Sequence, residues 1–176
     1  MVSFKFRLTE DEYLQYNYYT AWSAPVRKKY RIFYFLRVII LYGAVAMLYI
    51  IATRQHYIWI DISVFIITGV IYLIMIPSFV KGSVRRKVKD ILSKKDNQHI
   101  LDESEIILSD TGIIDKDILT ESRYNWDAIV RLADTPDGYY LYTNSYHAIV
   151  IPRRVVNNDE QKELTRLLSE NLPLHA

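Results

Sequence analysis

The side chains best suited to chemistry in this 176-residue chain are four histidines, His56, His99, His147 and His175, and an adjacent arginine pair, Arg153 and Arg154. Two histidines four apart on one helix face hold zinc. These four are scattered, and none begins an H-E-x-x-H spacing. There is no cysteine, which removes disulfides and thiolate metal sites. GxSxG, GxGxxG and P-loop patterns are missing as well. No catalytic residue, cofactor site or metal-ligand set is therefore expected, and the chain does not read as an enzyme. A lone histidine on a strand, such as His147, is more often a surface or packing residue. Arg153 and Arg154 have the right chemistry for phosphate, but solvated charges at a strand end are the plainer reading. Trp126 is either a stacking platform for a ligand or a core anchor with its indole N–H satisfied, and the second is favoured.

The charges are divided unevenly along the chain. Residues 1–95 hold 15 Lys and Arg against 5 Asp and Glu, whereas residues 96–176 hold 7 against 15. The acidic half repels polyanions, so nucleic acid is not an expected partner. The basic half concentrates Lys81, Arg85, Arg86, Lys87 and Lys89 within nine residues. These five are the candidate contact with anionic lipid.

The elements that position these groups begin with two apolar runs. Val38–Thr53 and Ile62–Val80 carry no charged residue. Extended to their natural ends, about 32–53 and 59–80, both meet the roughly 20 apolar residues that a bilayer core requires. Arg37 lies one turn inside the first, where its stem reaches the headgroups. Ala44-Val45-Ala46 resembles a signal cleavage site, but the apolar sequence continues past it, so two membrane helices are expected. Arg27, Lys28, Lys29 and Arg31 precede the first span, and the Lys81–Lys89 cluster follows the second. The intervening loop has only Arg54. This bias places both termini in the cytoplasm and the loop outside, in the inner (plasma) membrane. Tyr57 and Trp59 suit the outer aromatic belt; Trp22, Tyr30 and Tyr34 suit the inner one. Gly69 is among the small residues available for helix–helix contact, and Pro77 is a candidate kink.

Four segments follow. Residues 1–31 begin with a strand pattern in which Phe4, Phe6 and Leu8 alternate with polar residues. Thr9 and Glu12 then match a capping box. The helix they start has an expected apolar stripe of Leu14, Tyr18, Ala21 and Trp22, and either lies on the membrane or packs on the C-terminal domain. Residues 32–80 are the membrane hairpin. Residues 81–98 are a basic linker helix with an apolar stripe of Val84, Val88, Ile91 and Leu92. Residues 99–176 contain short strands at Glu105–Ser109, Leu119–Trp126, Ile129–Ala133, Tyr139–Thr143 and His147–Ile151. Turns at Asp110-Thr111-Gly112, Thr135-Pro136-Asp137-Gly138 and Asn144-Ser145 separate most of them. The tyrosines of 139–146 are expected to alternate between core and surface. A last helix starts near Asn157 or Asn158, buries Leu164, Leu167 and Leu168, and stops at Pro173. The expected fold is a membrane α-helical hairpin plus a small α+β cytoplasmic domain. That domain is an antiparallel barrel or sandwich closed by its C-terminal helix. Phe4 and Phe6 are expected to add a strand or edge contact to it.

Two apolar helices, then Trp126 with Ile129, Tyr139, Tyr140 and Tyr142, and Ile149, Ile151, Pro152, Arg153 and Arg154, resemble the YcxB-like family of bacterial membrane proteins. The opening FKFRLTEDEYLQYNYY is similar to the start of that family. Where an aromatic residue often follows the basic pair, this chain has Val155 and Val156. The resemblance implies a pleckstrin-homology-like C-terminal domain, with Trp126, Ile129, Ile151 and Pro152 as structural motif residues. It brings no activity. The expected role is a membrane-tethered binding, scaffold or regulatory module, with a protein partner at the cytoplasmic domain. The alternative is an accessory subunit or assembly factor of a larger membrane complex such as a transporter.

Overall fold

The computed structural model describes residues 1–53 and 58–172. The short loop with Arg54, His56 and Tyr57, and the end with Pro173 and His175, lie outside the described residues. Two compact units emerge. One comprises residues 1–20 and 86–176, the other residues 21–85.

The second unit contains the apolar helices. Helix α2 runs Lys28–Thr53 and helix α3 runs Ile58–Ser93. Each is long and apolar enough to cross a membrane, and α2 has no buried residue. Where the helices meet, the Tyr42 hydroxyl donates to the Phe65 carbonyl at 3.1 Å and shares a 2.5 Å hydrogen bond with Thr68. Gly69 permits this approach: a Cβ there would lie 3.0 Å from the Tyr42 ring. Trp22 is buried, and its ring meets that of Tyr34 edge-on at 5.5 Å. Helix α3 continues through Pro77 and the basic segment to Ser93.

Among the described residues, the first unit holds seven strands, two further α-helices and the end of α3. Strand β1 (Val2–Arg7) buries Val2, Phe4 and Phe6 and exposes Ser3, Lys5 and Arg7, as a period-two pattern requires. Thr9 caps α1 (Glu10–Tyr18) in a complete capping box with Glu12. After the two apolar helices come β2 (Glu103–Ser109), β3 (Gly112–Lys116) and β4 (Glu121–Tyr124). A 3-10 turn at Trp126–Ala128 leads to β5 (Arg131–Asp134), β6 (Gly138–Tyr142) and β7 (Ala148–Pro152). Helix α4 (Asn158–Asn171) closes the chain, with Asn157 and Glu160 forming a second capping box.

The strands form two antiparallel sheets, β1-β2-β3-β4 and β5-β6-β7. Of the expected barrel or sandwich, the closed barrel is not realised. The turn at Trp126 ends the first meander, and no ladder joins the two sheets among the described residues. Trp126 consequently sits in a turn and not in the strand expected over 119–126. Two glycines set the sheet edges. Gly112, at the end of the tight β2–β3 turn, has φ +152°, and a Cβ there would lie 2.4 Å from the Tyr124 carbonyl oxygen. At Gly138 a Cβ would lie 2.5 Å from the Ile151 carbonyl oxygen.

The main core gathers apolar residues of both sheets under α4. Phe4, Leu108, Ile113, Leu141, Ile151 and Leu164 are its centre, with Trp126 and Ile129 at its edge. Strand β6, GYYLY, is buried along its whole length. Tyr139 and Leu141 face that core, while Tyr140 and Tyr142 form a second cluster with Tyr16 and Ala148. The expected alternation of these tyrosines between core and surface is corrected here. A strand buried on both faces reads as a continuous apolar run, and α1 supplies the second cover. The Tyr16 and Tyr140 rings meet edge-on at 5.5 Å. Of the two placements open to α1, the structure has it packed on the strands. Its stripe is corrected too. Leu14, Tyr16, Thr20 and Trp22 are buried, whereas Tyr18 is half-buried and Ala21 exposed. A single π-helical turn at Tyr19–Ser23 adds a residue to the repeat and rotates the face.

Candidate functional site

The arginine pair after β7 is engaged inside the fold. Arg153 reaches the turn between β5 and β6, where it pairs with Asp134 and donates to the Thr135 carbonyl at 2.6 Å. Its guanidinium also lies 4.2 Å from the centre of the Tyr139 ring. Arg154 points toward the start of the chain. It donates to both Glu12 carboxylate oxygens, at 2.7 and 3.1 Å, and to the Arg7 carbonyl at 2.6 Å. The two residues read as solvated strand-end charges are thus clamps, one on the β5–β6 turn and one on the junction of β1 and α1. Pro152 and Ile151, both buried, set the strand end from which the clamps project. Trp126 is 7% exposed, and its indole N–H donates to the Ser109 carbonyl at 3.0 Å. It anchors the core, and Ile129 packs in the same cluster.

The Glu12–Arg154 pair makes the clamp sensitive to acid. Burial would raise the Glu12 carboxyl, but hydrogen bonds from Arg154 and Thr9 hold it below the usual range. A carboxylate depressed in the folded state stabilises that state above its unfolded pKa of about 4.3, and the contribution is lost as pH falls through the folded value. Glu12→Gln is therefore expected to lower the thermal midpoint at pH 7 and to flatten its decline between pH 5 and 3. Parallel melts of the two proteins across that range check it. Parallel curves of unchanged slope would remove the pair from the acid response.

A cleft of about 380 Å³ opens in the same unit. Leu8 with Tyr13, Tyr16 and Asn17 of α1 forms one side. Ile100, Asp115 of β3 and residues 146–150 form the rest. The Tyr16 hydroxyl is engaged there as both donor and acceptor, donating to the Tyr146 carbonyl at 2.7 Å and accepting from the Ala148 N–H at 3.1 Å. Burial pushes its pKa up to about 12. Asp115 lies two residues beyond the core residue Ile113 on the same strand face. Burial, and then the neighbouring Asp117 charge, raise its carboxyl above the usual range, while His147 opposes the shift. His147 itself is exposed, with Nδ1 3.2 Å from the Thr143 hydroxyl.

Reading along the chain missed this constellation. Asp115 is one acid among fifteen in its half of the sequence, and His147 stands 32 positions away. Only the β2–β3–β4 meander and the β6–β7 hairpin bring them together. Lys81, Arg85, Arg86, Lys87 and Lys89 are all exposed on α3, and Val88 of the intervening apolar stripe is buried.

No curated protein and no solved structure matches the chain. A protein-family model does, from the end of β2 through most of α4. Over residues 108–168, which carry Trp126, the β6 tyrosines and the Ile-Pro-Arg-Arg clamp, this chain is similar to the YcxB-like proteins.

Proposed function

We propose that this chain is an integral protein of the inner membrane whose cytoplasmic domain, pleckstrin-homology-like in architecture, acts by binding and not by catalysis. The observation that carries the reading is the pair of long apolar helices. Alpha-helix α2 buries none of its residues, and among the large side chains it exposes are Phe33, Ile40, Val45, Met47 and Leu48. A helix this apolar, with no buried residue and so many large side chains exposed, suits lipid as its solvent. Four strands, then three, then a C-terminal helix support the pleckstrin-homology-like architecture. Strands β1 and β2 flank the hairpin and share one ladder from Val2↔Leu108 to Arg7↔Glu103. Two crossings return the chain to the side it left, which that ladder requires. The basic segment of α3 then meets anionic headgroups, each cation contributing about 1 kcal/mol.

Topology tests the reading. Reporter fusions after residue 56 and at the C-terminus are expected to report outside and inside respectively. The chain is expected to stay in the membrane fraction through alkaline carbonate. A cytoplasmic signal from the loop fusion, or release by carbonate, would overturn the proposal.

A further inference from the structure

We infer that the cleft beside α1 binds a small organic cation, through an ammonium or guanidinium group held by Asp115 and the tyrosine faces. The inference deepens the reading of the domain as a binding module and rests on it. The cleft's volume, about 380 Å³, falls within the roughly 300–1,000 Å³ of small-molecule pockets.

Its lining selects the charge. No Lys or Arg is among the lining residues. The one acidic side chain there is Asp115, whose carboxylate makes no hydrogen bond or ion pair among the described residues. No side-chain oxygen of the described residues is both sealed from solvent and unpartnered, so the Asp115 oxygens keep access to solvent, and Asp115 lines the cleft. An anion would face that carboxylate with no Lys or Arg in the lining to offset it. It would also find the Tyr16 hydroxyl already engaged at both ends. A cation instead meets the carboxylate in a lining that includes three tyrosines, Tyr13, Tyr16 and Tyr146. The fold uses the same attraction elsewhere: the Arg131 guanidinium stacks 3.8 Å from the centre of the Tyr142 ring.

A bare metal ion fits less well. Among the described residues no cluster of three His, Cys, Asp or Glu is arranged to hold one, and a single carboxylate leaves most of a divalent ion's shell unfilled. His147 lines the cleft from the β6–β7 side, and Asp117 is the like charge that acts on Asp115. Burial and the Asp117 charge raise the Asp115 carboxyl above the usual range, so binding is measured at pH 8.

The test uses the purified full chain in a maltoside detergent, which has no ammonium headgroup. Choline is titrated against 3,3-dimethylbutan-1-ol, its uncharged carbon isostere, with saturation-transfer NMR as the readout. Choline is expected to saturate and to bind at least about tenfold more tightly than the isostere. Asp115→Asn is expected to erase that preference. Its fold is checked by far-UV circular dichroism, and the choline–isostere comparison stands on the unmodified chain alone. Equal binding of the two probes, no saturable choline signal, or an unchanged preference in a folded Asp115→Asn would overturn the inference. Nanodiscs separate the two sources of an ammonium group. Weaker choline binding in phosphatidylethanolamine than in phosphatidylglycerol assigns the site to a lipid headgroup, and equal binding assigns it to a free amine; both support an ammonium site. Loss of choline binding by a chain that still resists carbonate extraction refutes the ligand and leaves the membrane reading intact.

Discussion

Residues 86–172 expressed without residues 1–20 are expected not to fold. The missing piece supplies β1, an entire strand of the four-stranded sheet. It also supplies three core side chains, Val2, Phe4 and Phe6, none more than 6% exposed. Burying each contributes about 1.5–3 kcal/mol. Helix α1 adds Tyr16, whose hydroxyl bridges to the backbone at Tyr146 and Ala148. Without α1, the outer faces of Tyr140 and Tyr142 lose their cover, and Thr20 no longer holds the Tyr142 hydroxyl at 2.7 Å. The summed loss equals or exceeds the roughly 5–15 kcal/mol by which a domain of this size is stable. Circular dichroism and the emission of Trp126 are the measurements. The truncated chain should lack a cooperative melt, and a peptide of residues 1–24 supplied in trans should restore one. A folded truncation with native-like Trp126 emission would show that β1 and α1 are decoration on a complete domain.

This dependence marks the limit of what could be read along the chain. Local signals were legible because their causes lie within a few residues. Thr9 and Glu12 are three positions apart and close the capping box that their spacing predicts, and the last helix starts at Asn158, where a start near Asn157 or Asn158 is expected. Asp110-Thr111-Gly112 and Thr135 to Gly138 turn where their residue types require. The strand character of Val2–Arg7 was equally visible. Its partner was not, because Phe4 lies opposite Ile106, some hundred residues on and beyond two apolar helices. Nothing in either segment encodes that register by itself. The face of α1 failed for a different reason. The π-helical turn at Tyr19–Ser23 breaks the 3.6-residue period beyond Tyr18 and leaves Ala21 off the buried face. The cleft was hidden for a third reason. Asp115 occupies an inward position on β3 that ordinary patterning reserves for an apolar side chain. An acid at such a position is a signal, but only once the inward face is known from Ile113.

Trp126→Ala is expected to destabilise the domain by about 3–5 kcal/mol. For a unit of this size that corresponds to a thermal midpoint lower by on the order of 10–40 °C. The side chain is 7% exposed and stands where the first sheet's meander ends and the second sheet begins, so few neighbours can collapse into the space it leaves. Two contributions are removed together, and a second variant separates them. Trp126→Phe keeps an aromatic ring but deletes the indole N–H that the Ser109 carbonyl accepts. Leaving a part-buried acceptor without its donor costs at most about 1–3 kcal/mol, so Trp126→Phe should fall between Trp126→Ala and the unmodified chain. Ser109 is also the residue opposite Gly112 in the β2–β3 hairpin. The hydrogen bond therefore ties the turn after β4 to the tip of that hairpin, 17 positions earlier. Hydrogen exchange should report this directly. In Trp126→Phe the amides of residues 109–112 should lose protection while those of β6, deep in the other sheet, keep theirs. Uniform loss across both sheets would mean that Trp126 acts only by filling volume. An unchanged melt for Trp126→Ala would remove it from the core altogether and restore the reading of a ligand-stacking ring.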